Sequence, residues 1–234
     1  MELLSTEALV AFLTLTALEI VLGIDNIVFL VLVVDKLPQA QRNSARKLGL
    51  SLAMILRIAL LLSISWVMNV TTPFFTLFEH PISLRNLVLI GGGLFLIAKS
   101  TLEIHEKVEA HSSKPKKTKN LSFQSAIIQI LALDLIFSLD SVITAVGMVN
   151  RVEIMVASIV LAVLIMILFS EKISQFVSAH PTIKILALSF LILIGLMLVI
   201  EGLGQHINRG YIYFAMGFSL AVELLNMKTR ASES

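Results

Sequence analysis

The chain has 234 residues, 57% of them hydrophobic and 15% charged, with no cysteine and a formal net charge of +2. Soluble domains carry about 25% charged residues, so a mean hydropathy of +0.93 leaves more apolar surface than one water-soluble core can hide, and the surplus must face lipid. This excludes a disordered chain, a disulfide-stapled domain, sulfur-based zinc sites and a nucleic-acid binder with a basic face; the isoelectric point near 8.9 reports topology instead.

A helix that crosses a bilayer needs about 20 predominantly apolar residues. That length predicts seven spans, at 8–34, 48–70, 85–104, 123–149, 153–170, 183–204 and 211–227. The fifth and seventh are short, so each is expected to tilt little or to be shielded by neighbours. Pro38, Pro73, Pro81, Pro115 and Pro181 all fall between spans, where a missing backbone N–H matters least. The first span is not expected to be a cleavable leader, because it lacks a basic start and Glu19 and Asp25 interrupt it. The expected fold class is therefore an all-α membrane protein of seven transmembrane helices.

Lysine and arginine set the direction. Lys36, Arg42, Arg46 and Lys47, then Lys107, Lys114, Lys116, Lys117 and Lys119, then Lys172 and Lys184, then Lys228 and Arg230 all fall on one side. Those 13 residues, or 14 with Lys99, stand against Arg85, Arg151 and Arg209 on the other. The N-terminus is expected outside and the C-terminus in the cytoplasm. His105–Asn120 is the polar stretch that divides the chain. The expected organisation is a first three-helix repeat at 1–104, a basic cytoplasmic linker at 105–122, a second repeat at 123–206, and a seventh helix with its tail at 207–234.

The repeat rests on matched residues. Glu19-Ile-Val-Leu-Gly-Ile-Asp25-Asn26 recurs as Asp134-Leu-Ile-Phe-Ser-Leu-Asp140-Ser141, and Gly93-Leu-Phe-Leu-Ile-Ala-Lys99 recurs as Gly195-Leu-Met-Leu-Val-Ile-Glu201. His105 and His206 follow at nearly the same distance. A unit of three spans reverses direction each time it is copied, so the two copies must be inverted, an architecture that secondary transporters use with the site at the repeat interface. Chance likeness between leucine-rich helices is the bland alternative; the matched acids, which lipid disfavours, speak against it.

Ionisable groups at the bilayer centre cost about 2.5–3.5 kcal/mol each on the insertion scale, and so read as functional. Glu19, Asp25, Asp134 and Asp140 all straddle the midplane of their spans. Acids six residues apart differ by about 120° around an ideal helix and about 9 Å along it. Either the helices unwind near Gly23 and Ser138, or each acid pairs with a partner from the other repeat. Arg57 has the same estimated depth as Asp25, so it is expected to form a structural pair with Asp25 or to be displaced when a cation arrives. A structural polar network between helices is the bland reading of the whole cluster.

The donors are hard oxygen: the four carboxylates, Asn26, Ser138, Ser141 and Thr144. Such donors suit magnesium, calcium and manganese, whereas imidazole and thiolate suit zinc, copper and nickel. His80, His105, His111, His180 and His206 lie in loops or at span ends, away from the midplane. Glu223 is an accessory ligand, an inward gate, or an interfacial acid. Gly91, Gly92 and Gly93 allow close helix approach. Glu103, His105, Glu106, Glu109 and His111 read better as a solvated helix extension than as a metal trap, and the methionines as packing.

EIVLGIDN at 19–26, DLIFSLDS at 134–141, LALSFLILIG at 186–195 and the closing GYIYFAMGFSLAVELLN resemble the TerC family of bacterial inner-membrane proteins, part of a wider superfamily with the lysine exporters. The resemblance covers essentially the whole chain. It implies seven spans in two inverted triplets, and a role in efflux of manganese or a related divalent cation, including metal supply to exported enzymes. It assigns the family's motif acids to Glu19, Asp25, Asp134 and Asp140, with Asn26 and Ser141 beside them.

The leading expectation is a proton-coupled divalent-cation exporter, with the cation as cargo and no bound cofactor. Its partners are the bilayer and the cation, with no nucleic acid. No Walker-type phosphate loop is present. An accessory protein that helps metallate or assemble exported proteins is the alternative. An intramembrane aspartyl protease, needing two aspartates that share a proton, is disfavoured because neither Asp25 nor Asp140 sits in a Gly-x-Gly-Asp context.

Overall fold

The computed structural model describes residues 6–63, 72–77, 80–109, 121–148, 151–205 and 207–232; within these, the side chains of 24–25, 74–77, 80–81, 140, 143–148 and 230–232 are not described. Among the described residues there are seven helices: α1 (Thr6–Val34), α2 (Gln39–Leu62), α3 (Leu84–Glu109), α4 (Phe123–Met148), α5 (Val152–Ala179), α6 (Pro181–Gly202) and α7 (Arg209–Ser232). A two-stranded sheet of β1 (Pro73–Leu77) and β2 (His80–Ser83) precedes α3. Five of the helices, α1, α3, α5, α6 and α7, are long and apolar enough to cross a membrane, and Phe123–Leu139 of α4 is a shorter apolar stretch.

The helix limits follow from local chemistry. Pro38 stands at the N-cap of α2 with φ −52° and ψ 140°, and its ring biases the preceding residue away from helical backbone. Between the two helices, Arg42 donates to the carbonyl oxygens of Asp35 at 2.6 Å and Leu37 at 3.0 Å, groups that the end of α1 would otherwise leave open. Ser122 caps α4 by accepting from the Ser125 N–H at 3.2 Å. Pro181 opens α6 at a position where no N–H is required. The same helix closes on Gly204, whose φ of +82° is the left-handed conformation that glycine adopts without Cβ strain. There Gly204 N–H donates to Glu201 O and Gln205 N–H to Ile200 O, at 3.0 and 3.1 Å, the paired bonds of a Schellman ending.

Two elements correct expectations. The fifth and seventh spans are not short: α5 has 28 residues and α7 has 24. Apolar runs stop at the first charges, but helices do not. α5 continues through Glu171 and Lys172, and α3 through Glu106 and Lys107 into the stretch expected to be linker. The two-stranded sheet is not among the elements that the sequence predicts.

The chain forms two compact units. The first takes α1, α2, α4 and α5 as far as Gln175; the second takes α3 from Asn86, the end of α5 from Phe176, α6 and α7. Each unit thus draws helices from both halves of the sequence. Leu30, Val31 and Val34 of α1, Leu61 of α2 and Leu133 of α4 are fully buried in the first. In the second, Leu89 and Leu96 of α3 and Leu188, Leu191, Ile194 and Leu198 of α6 are fully buried.

Within the second unit α3 and α6 come together at glycine. A Cβ on Gly195 would lie 2.7 Å from the Gly93 carbonyl oxygen and 2.9 Å from Ile97, while a Cβ on Gly93 would meet the Gly195 carbonyl and Val199. Close backbone approach at small residues is how helices associate in lipid, where no hydrophobic drive operates between them. Gly91, by contrast, faces open space.

Candidate functional site

The site lies in the first unit, where α1, α2 and α4 pack on one another. Each supplies one buried charge, α1 and α4 from mid-helix and α2 from its last two turns. Glu19 and Asp134 are both 5% exposed and Arg57 is 2% exposed. Arg57 Nη1 donates to Glu19 Oε2 and Nη2 to Asp134 Oδ1 at 2.7 Å, so one guanidinium bridges two carboxylates from different helices. Arginine suits this position because its planar fork offers separate edges to two acceptors.

A second layer of polar groups surrounds Asp134. Ser138 Oγ, fully buried one turn along α4, donates to Asp134 Oδ2 at 3.1 Å. Asn26 Nδ2 of α1 donates to Asp134 Oδ1 at 3.2 Å. Ser141 is buried and donates to the Ser138 carbonyl at 3.3 Å. The Asn26 Oδ1 is buried and has no hydrogen-bond partner among the described residues. Beside Asn26 and Asp134 lies a cavity of about 10 Å³, lined otherwise by Phe29, Leu30, Leu50, Ala53, Ile130 and Leu133. That is about the space one water centre needs.

These contacts bear on the alternatives left open by spacing for Glu19 and Asp134. Both α1 and α4 remain helical through Gly23 and Ser138, so neither unwinds there. Of the matched acids, Asp134 takes Arg57 and Asn26 as partners from the first half of the chain, while Glu19 takes Arg57 from its own half. Arg57 has Glu19 and Asp134 as its described partners; the expected pair with Asp25 falls on a side chain outside the described residues. Asp134 is within reach because α2 packs on α4.

The side chains of Asp25, Asp140 and Thr144 lie outside the described residues. Glu223 is on α7 in the second unit, half-exposed. Among the described residues no three of His, Asp and Glu stand close enough to enclose a metal ion; the described part of the cluster is two carboxylates, an amide and two hydroxyls. Sequence reasoning missed the apolar wall of the cavity, because Leu50, Ala53 and Ile130 carry no chemical signal of their own. It also took Arg46 only as a topological charge, whereas the residue is buried.

Long apolar helices bearing outward side chains such as Phe214 and Leu168, 76% and 73% exposed, and burying charged groups at mid-helix, define a multi-pass integral membrane protein. Residues 4–233 match the sequence profile described as the integral membrane protein TerC family, and the chain belongs to that family. It is 57% identical over 214 residues to the UPF0053 inner membrane protein YgdQ of Escherichia coli K12, covering 92% of this chain and 90% of that one. A UPF0053 protein of Haemophilus influenzae is 52% identical over 225 residues, covering 96% and 95%. The UPF0053 inner membrane protein YoaE of Escherichia coli K12 is 50% identical over 219 residues, which are 93% of this chain and 42% of that one. No solved structure matches. The protein is a multi-pass protein of the inner membrane.

Proposed function

We propose that the protein exports a divalent metal cation, manganese above others, across the inner membrane in exchange for protons. The observation that carries this reading is the pair of buried carboxylates, Glu19 and Asp134, joined by Arg57 beside a water-sized cavity with a partnerless Asn26 Oδ1. Two carboxylates and one guanidinium leave the described cluster one negative charge in excess. Lipid does not tolerate such an excess, so it calls for a bound cation or a proton.

The cargo ligands in this reading are Glu19, Asp25, Asn26, Asp134, Asp140 and Ser141, with Ser138 and Thr144 as accessory donors. Oxygen donors of this kind select hard divalent ions. Arg57 serves as the resident counter-ion, held on the carboxylates when cargo is absent and shifted when cargo arrives. Carboxylates that are ionised when loaded and protonated when empty couple the ion to protons without a nucleotide.

The same reading takes α1–α3 and α4–α6 as inverted copies with α7 appended, the N-terminus outside and the C-terminus in the cytoplasm. The Gly93–Gly195 contact supports it: these glycines occupy matched positions, and the neighbours each would strike, Val199 and Ile97, are matched as well. Two copies related by a twofold axis meet at equivalent residues in this reciprocal way.

The test is uptake of Mn²⁺ into proteoliposomes under an imposed pH gradient. Flux that needs the gradient and disappears with Asp25→Asn or Asp140→Asn is the expected result. Full transport by either variant removes the mechanism.

A further inference from the structure

Arg46, Gly49, Leu50, Ala53 and Arg57 are all buried on α2. Their spacing of three, four, seven and eleven residues from Arg46 puts them on one helical face, with the two arginines about 16 Å apart along the axis. Two unsatisfied polar atoms flank this face, one on α2 itself and one on the neighbouring α1. Arg46 Nε is buried with no hydrogen-bond partner among the described residues, and its Nη2 reaches the exposed Glu171 of α5 only at 3.8 Å. At the other end the partnerless Asn26 Oδ1 adjoins the cavity against Leu50 and Ala53.

Between the two ends the three helices of the site close on each other. A Cβ on Gly49 would stand 3.3 Å from two carbons of Ile130 on α4 and 3.8 Å from Leu30 on α1. Buried donors and acceptors lacking protein partners are satisfied by water. One such donor and one such acceptor flank a single apolar collar.

We infer that a hydrated path follows the buried face of α2 from Arg46 to the carboxylates, and that the Leu30–Leu50–Ile130 collar at Gly49 is its gate. This rests on reading the carboxylates as a cation site, and it assigns that site's access route. Glycine at 49 and alanine at 53 leave the width; the leucines and isoleucine close it, since a narrow apolar constriction excludes water until its walls part. Arg46 and Glu171 form the mouth, on the face that carries Arg42 and Lys47.

The chain contains no cysteine, so single cysteines report alone. Ala53→Cys and Leu50→Cys, in proteoliposomes, are exposed to a small cationic methanethiosulfonate reagent added to one face at a time. Both are expected to react from the Arg42–Lys47 face at least tenfold faster than Leu61→Cys, which is buried beyond Arg57. Ile130→Ala should speed the Ala53→Cys reaction severalfold, and millimolar Mn²⁺ should slow it. Rates equal to that of Leu61→Cys, reaction only from the other face, or indifference to Ile130→Ala overturn the path. Labelling as expected but unaffected by Mn²⁺ keeps the path and overturns the cation site. Manganese flux alongside unreactive cysteines at 50 and 53 does the reverse.

Discussion

Replacing Arg57 by methionine keeps much of the aliphatic volume and deletes the guanidinium shared by Glu19 and Asp134. Both carboxylates are buried, and neither has another cation among its described ion pairs. Removing one member of a buried ion pair costs about 3–5 kcal/mol, chiefly because the remaining charge is stranded. With two carboxylates stranded, Arg57→Met should fall near the top of that range. At about 2–4 °C per kcal/mol for a chain of this length, the melting temperature should drop by on the order of 10–20 °C. Adding Glu19→Gln and Asp134→Asn removes the stranded charges, and exchanging a whole buried ionic set for neutral groups is often close to neutral. The triple variant should therefore recover most of the loss. Thermal loss of monodispersity in lipid nanodiscs reads both effects. A single variant that melts with the parent, or a triple variant that melts no higher than the single one, refutes the reasoning.

Two further outcomes follow from the packing. Gly195→Ala should destabilise by about 1–3 kcal/mol, because its Cβ would meet backbone that cannot step aside, while Gly23→Ala, whose Cβ meets the mobile end of Met166, should cost under about 1 kcal/mol; Gly91→Ala and Gly217→Ala, in open space, should be silent in the same melting assay. Arg42→Ala should cost about 1–2 kcal/mol by freeing the Asp35 and Leu37 carbonyl groups, read as faster amide exchange confined to the turn between α1 and α2; exchange unchanged there sinks the capping role.

How much of this was legible in the sequence depends on the kind of information each feature needs. Apolar runs pointed to the seven helices found among the described residues, five of which are long and apolar enough to cross a membrane. They misplaced the ends of α3 and α5, where charged residues such as Glu106 and Glu171 continue a helix without raising its hydropathy. The strands at 73–77 and 80–83 escaped because short proline-containing stretches have too few residues to show a period. Glu19 and Asp134 stood out, since an acid in an apolar run is conspicuous. Their shared partner did not: Arg57 could be given a depth, but its direction depends on α2 lying against α4. Matched glycines at 93 and 195 could be seen to correspond, yet nothing in a linear pattern says that corresponding residues touch. The cavity was least legible, being made by what Gly49 and Ala53 lack.

The three-way bridge also bears on how the chain is built. Only residues 35–38 separate α1 from α2, so Glu19 and Arg57 can neutralise each other while the ribosome is still making the remainder. Asp134 emerges 77 positions after Arg57 and finds the second edge of the guanidinium waiting. None of the three charges then needs to enter the hydrocarbon without a mate, and the order of synthesis becomes the order in which the centre is assembled.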